Sequence, residues 1–266
     1  MGKKRCARVV RCIVLAVAAL LGVAYFDYSS ESTALPVGIY AGPSTWIEGR
    51  QALQHFLAHL GLAWQEFTAE ELDRENLSSR FRALWFPGGW GGDYQALISR
   101  LGKQRIREFI AAGGAYFGSS AGAYFACDYV VWQGNRYEYD LDLFNGYAEG
   151  PLDEIAPWPQ WTFTPVRLDT AHPANEKMPL VLPMLFFGEP DFHPSTGQAM
   201  EVLGRWALTG TPGLISFSYG KGTVVLLGPH PEIGYDHDSR NWDVNGGHGA
   251  QWAWLAQVVR WALNPL

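Results

Sequence analysis

The sequence predicts an α/β domain built on a mainly parallel sheet with helices on both faces. Three observations carry this expectation. Short apolar runs of strand character alternate with amphipathic helical stretches through the first half of the chain, and strands joined by helical crossovers pair in parallel. Two of those strands run directly into glycine turns, Pro87-Gly88-Gly89 and Gly118-Ser119-Ser120-Ala121-Gly122. In an open α/β sheet such turns fall beyond the carboxyl ends of strands, where sites gather, so both can face one pocket.

Taken in order, residues 36–40 (PVGIY) read as a first strand. Ser44 or Thr45 is placed to cap a helix running to about Leu60, with Ile47, Leu53, Phe56, Leu57 and Leu60 along one face, and Gly61 stops it. Residues 62–67 give a second strand, 70–76 an acidic helical turn, and 83–86 (ALWF) a third strand. One amphipathic helix over about 94–112 delivers the chain to a strand at 115–117, after which small and apolar residues suggest another helix. Residues 132–195 loosen into loops containing Pro, Trp and Asp, with two or three strands among them, one over 161–168. Residues 213–219 and 223–227 resemble a hairpin around Gly220-Lys221-Gly222, and its second strand runs into Gly228-Pro229-His230-Pro231-Glu232. A Trp-rich helix over about 249–263 closes the chain.

The beginning of the chain carries a targeting signal. Lys3, Lys4, Arg5, Arg8 and Arg11 precede an apolar run from Cys12 to Phe26, and the first acidic residue is Asp27. A cationic segment followed by a run of this length is either a cleaved signal peptide or an uncleaved anchor over residues 9–26, and both alternatives place the rest of the chain in the periplasm or outside the cell. The expected organisation is residues 1–28 as signal peptide or anchor and 29–266 as a single domain, of a size that can bury a large core. From residue 12 onward fifteen basic residues face twenty-six acidic ones, a net charge of about −11 that argues against nucleic acid as a partner. Of three cysteines only Cys127 lies outside the targeting segment, so the exported part has no internal disulfide.

The chemistry is expected at the second glycine turn. In G-x-S-x-G the central residue sits on a strained strand-to-helix turn whose neighbours two positions away must lack side chains. That register makes Ser120 the nucleophile, turns Ser119 back into the fold, and presents the N–H of Ala121 to a developing oxyanion, with Gly88 or Gly89 supplying a second donor. His230, just past a strand end, suits the role of general base. Glu232 can orient its imidazole, because Pro231 keeps the backbone extended.

Four segments, FPGG (86–89), FIAAGGAYFGSSAGAYFA (109–126), LFNGYAEGP (143–151) and GPHPE (228–232), resemble the class I glutamine amidotransferase-like superfamily and, within it, the domain at the N-terminus of eukaryotic biotin-protein ligases. The resemblance covers nearly all of the chain after the targeting segment. It implies a flavodoxin-like three-layer sandwich, an elbow nucleophile at Ser120, a histidine and glutamate at His230 and Glu232, and oxyanion donors from the Pro-Gly-Gly turn. The family's elbow reads G-x-C-x-G, and this chain has serine at that place. A serine must lose its proton as it attacks, which puts more of the work on the histidine. The departure leaves three readings: a Ser-His-Glu hydrolase of amide or ester bonds, a catalytically inactive ligand- or partner-binding protein, or an amidotransferase that would need a synthase and an ammonia acceptor absent from this chain. No glycine- and arginine-rich biotinyl-adenylate loop is present, so ligase activity is not implied.

The expected partner is a small-molecule or peptide-like substrate, with Trp90, Asp93 and Tyr94 beside the Pro-Gly-Gly turn as substrate-binding residues; Asp93 equally suits a helix cap. Trp158 or Trp161 is placed to line a groove. Asp236, His237, Asp238, Asp243 and His248 do not follow a calcium-loop spacing, since Arg240 occupies a would-be ligand position, and read as a solvated loop. Cys127 reads as a buried packing residue on the helix after the elbow. No cofactor and no metal are expected.

Overall fold

A computed structural model of the chain describes residues 34–236 and 241–263. The targeting segment and residues His237 and Asp238 of the acidic loop therefore lie outside the described residues. Among the described residues no helix is long and apolar enough to cross a membrane.

Strands β1 (Val37–Tyr40), β2 (Trp64–Phe67), β3 (Ala83–Phe86) and β4 (Ala115–Ser119) follow the predicted positions. Their register is parallel throughout, in the order β2-β1-β3-β4, and β13 (Gly222–Leu227) adds to β4 as a fifth parallel strand. Beyond β13 the same sheet continues antiparallel through β12 (Pro212–Tyr219), β11 (Glu201–Trp206), β8 (Thr162–Leu168) and β9 (Val181–Phe186), so it is a nine-stranded mixed sheet with a parallel half. The alternation of Cβ direction along a strand sorts the core into two layers. Leu84, Phe86 and Tyr116 face one side; Ala83, Trp85 and Phe117 face the other. Helix α1 (Ile47–His59) and the last helix, α7 (Trp252–Leu263), bury Leu53, Phe56, Leu57, Trp254 and Val258 on the Trp85 side. Helices α2 (Ala69–Arg74), α3 (Leu77–Arg80), α4 (Gly91–Leu97) and α5 (Arg100–Ala111) cover the other side. The three-layer α/β architecture is thus present.

Several expectations are corrected in detail. Neither Ser44 nor Thr45 caps α1: Trp46 holds the cap position without a side-chain bond, Thr45 Oγ1 donates to the Gly42 carbonyl at 2.8 Å, and Ser44 donates to Asp93. The single helix expected over 94–112 is two, because Ser99 Oγ accepts from Gly102 N–H at 3.0 Å and starts α5 anew. The helix after the elbow, α6 (Ala121–Phe125), is one short turn. Cys127 is buried, as expected, but it opens β5 (Cys127–Trp132) instead of extending that helix. β5 and β6 (Asn135–Glu138) form a hairpin whose two turn residues, Gln133 and Gly134, both take positive φ, 49° and 75°. The region read as mostly loop is therefore rich in strands: β5, β6, β7 (Phe144–Gly150) and β10 (Asp191–Pro194) make a second, four-stranded sheet that packs its Phe144 and Phe192 into the first core layer. Short strands β14 (Gly234–Tyr235) and β15 (Trp242–Asp243) pair with each other near the end of the chain.

Candidate active site

The elbow is built by backbone crowding. A Cβ on Gly118 would lie 2.5 Å from the Gly122 carbonyl oxygen, and one on Gly122 would lie 2.0 Å from the Phe86 carbonyl oxygen; no side chain fits at either position. The turn is tied down by Gly122 N–H donating to the Pro87 carbonyl at 3.2 Å and by the Tyr116 hydroxyl donating to the Gly122 carbonyl at 2.7 Å. Between them Ser120 adopts φ 49° and ψ −107°, outside the regions ordinarily open to a residue with a side chain. Such strain persists only where the surroundings impose it, and it is concentrated at functional sites. Ser119 is fully buried, and its Oγ accepts from Trp85 Nε1 at 3.0 Å, so of the two serines only Ser120 faces outward.

Ser120 lines a cavity of about 210 Å³ together with Gly89 and Ala121. Gly89 and Ala121 are thus the two proposed oxyanion donors that share a pocket with the serine. Gly88 is placed differently: a Cβ there would meet the His230 ring at 2.4 Å, so its lack of a side chain makes room for the imidazole. Among the proposed substrate contacts Trp90 lines the cavity and is 47% exposed. Tyr94 is wholly buried, its hydroxyl donating to the carbonyls of Pro87 and Gly88 and so supporting the Pro-Gly-Gly turn, and Asp93 accepts from Ser44. Trp158 is in the cavity wall, whereas Trp161 packs against Phe163 and Trp242.

His230 is delivered by the segment after β13 and fixed by its N–H donating to the Leu185 carbonyl at 3.0 Å. Its ring lies edge-on to Trp46, centroids 4.9 Å apart, and its Nδ1–H donates to Glu232 Oε1 at 2.7 Å. The base and orienter expected from the sequence are therefore joined. Nε2 lies 3.4 Å from Oε1 of Glu189, a residue that sequence reasoning missed. Glu189 is completely buried and its other oxygen accepts from the N–H of Phe187. Its only mark in the sequence is a carboxylate between Gly188 and Pro190, two residues before Asp191, at the end of an apolar stretch. Among the described residues no hydrogen bond joins Ser120 to His230.

The electrostatics of this cluster follow from burial and mutual proximity. Burial pushes the Glu189 carboxyl up to about 8, with repulsion from Glu232 adding to it, against the pull of His230 and of the Phe187 N–H. For His230 burial alone would favour the neutral ring, but the charge and hydrogen bond of Glu232 and the charge of Glu189 outweigh it and raise its pKa. Both shifts favour the protonated forms of Glu189 and His230, and Glu232 fixes the opposite ring nitrogen. A buried imidazole whose Nε2 is free of its proton can take one from a serine and return it to a leaving group.

The sheet and the elbow give the chain an α/β fold similar to that of solved glutamine amidotransferases. A solved glutamine amidotransferase matches 74% of this chain and 90% of its own with a TM-score of 0.54 at 22% identity, and PurLQS of Thermotoga maritima matches 86% and 99% with a TM-score of 0.59 at 14% identity; at these identities the likeness is one of fold. The family model described as biotin-protein ligase, N terminal, matches residues 35–154, so that stretch of the chain is similar to that family. An uncharacterized protein of Chlamydia muridarum is 31% identical over 186 residues, 66% of this chain and 65% of that one. The biotin–protein ligase of Schizosaccharomyces pombe is 27% identical over 199 residues, which is 69% of this chain but 30% of the ligase, so the similarity spans less than two thirds of either relative.

Proposed function

We propose that the chain is an exported hydrolase of amide or ester bonds in which Ser120 is the nucleophile, His230 the base and Glu232 its orienter. The observation that supports this is the strained backbone of Ser120, a residue in the wall of a cavity, while Ser119 is turned into the core. Oγ would attack the substrate carbonyl as Nε2 of His230 takes its proton, and the N–H groups of Ala121 and Gly89 would receive the oxyanion. Collapse of the tetrahedral adduct returns the proton from Nε2 to the departing amine or alcohol. Water, activated by the same nitrogen, then releases the acid. In this scheme the role of Glu189 is to hold the proton on Nε2 between these steps. The cationic and apolar N-terminal segment supports export, with membrane attachment if it is retained.

A second reading, a ligand-binding protein without turnover, is favoured by one observation: Nε2 faces Glu189 and no hydrogen bond links it to Ser120. Treatment of the full chain with a fluorophosphonate probe, followed by mass spectrometry of the adduct, separates the two. The hydrolase reading expects one label on Ser120 that is lost in Ser120→Ala and His230→Ala. Folded protein that stays unlabelled while a known serine hydrolase reacts fully would leave the binding reading.

A further inference from the structure

The cavity in front of Ser120 is walled by aromatic rings contributed mainly by the second sheet and the loops beside it. Trp90 meets Trp132 edge-on at 5.5 Å, Trp132 meets Trp158 edge-on at 5.4 Å, and Trp158 stacks on Phe187 at 5.2 Å. Val130, Tyr124, Tyr137 and Tyr139 also line the cavity. The Tyr124 hydroxyl is already committed, donating to the Gly188 carbonyl at 3.0 Å. Among the described residues no carboxylate, ammonium or guanidinium is found in the side chains lining the cavity. The buried carboxylates nearby are occupied elsewhere, Glu232 with Nδ1 of His230 and Glu189 facing Nε2 and the Phe187 N–H.

These facts decide what the site can hold. A free α-amino acid such as glutamine would bring an ammonium and a carboxylate into a space offering neither a counter-charge, and desolvating unpaired ions costs several kcal/mol each. An uncharged apolar group loses nothing polar on entry and gains about 25 cal/mol for each Å² it buries. We infer that the pocket takes the uncharged, apolar acyl part of an amide or ester, seated against the Trp90-Trp132-Trp158 wall with its carbonyl carbon at Ser120, and that it rejects glutamine. This rests on the assignment of Ser120 as the reacting residue for the orientation of the ligand, but not for its chemical class.

The test is a binding measurement that needs no turnover. Full-length Ser120→Ala protein is titrated with hexanamide, benzamide and L-glutamine while tryptophan fluorescence is followed. The expected result is saturable quenching by the two neutral amides and none by glutamine. Trp90→Ala, which removes an exposed part of the wall, should weaken amide binding about 10-fold. Saturable binding of glutamine, amide binding no stronger than that of glutamine, or amide affinity unchanged in Trp90→Ala would each overturn the inference. Amide binding by a protein that never accepts the fluorophosphonate would leave this inference standing and remove the hydrolase reading alone.

Discussion

Replacing the elbow serine, Ser120, with glycine is expected to make the protein more stable. At φ 49° and ψ −107° Ser120 carries backbone strain that a residue of this kind pays at about 1–3 kcal/mol, and glycine adopts such a conformation without it. Against this stands the greater freedom of glycine in the unfolded chain, roughly 0.5–1 kcal/mol. The Ser120 side chain makes no hydrogen bond among the described residues, so its removal forfeits none. The balance is about 1 kcal/mol in favour of Ser120→Gly, which corresponds to a rise in Tm of about 2–4 °C in a domain of this size. Ser120→Ala keeps the Cβ and with it the strain, and serves as the control that should melt with the parent. Differential scanning calorimetry of the three proteins reads the comparison directly. If Ser120→Gly melts at or below Ser120→Ala, the elbow is unstrained and the structural argument for Ser120 as a functional residue collapses.

Other outcomes follow from the same geometry. Because both His230 and Glu189 hold their protons to higher pH than usual, the rate of fluorophosphonate labelling should climb with pH and level off above about 8. Glu189→Gln removes a carboxylate that favours the protonated ring, so the rising limb should shift to lower pH; a limb that stays in place would separate Glu189 from the base. Glu232→Gln replaces the carboxylate that orients and charge-stabilises the imidazole with a neutral amide, and labelling should fall by about 10²-fold or more at every pH, measured by intact-protein mass spectrometry. Gly122→Ala forces a Cβ to 2.0 Å from a carbonyl oxygen of the central strand and should cost about 3 kcal/mol in urea unfolding. Gly61→Ala, with φ 67° but open space around it, should cost about 1 kcal/mol; equal losses at the two sites would refute the crowding argument.

What could be read from the chain alone was whatever local patterning encodes. The first four strands, the β12-β13 hairpin and the closing helix followed from apolar runs bounded by glycine, and the elbow and the His-Pro-Glu segment followed from turn chemistry that admits few residue types. The second sheet was not legible, because its strands pair across long separations, β5 with β7 and β7 with β10, and their mixed aromatic and polar residues look like loop until their partners are known. For the same reason the aromatic wall of the cavity was invisible apart from Trp90 and Trp158: Trp132, Tyr139 and Phe187 come together only when two sheets meet. Glu189 shows the limit most clearly. A carboxylate at the end of an apolar stretch, two residues before Asp191, carries no periodicity and no motif, and its importance comes from a neighbour 41 positions away in the chain, His230, whose Nε2 it faces at 3.4 Å. Local sequence determined which residues are capable of chemistry here. Long-range packing, which sets distance and dielectric, decided which of them lie together.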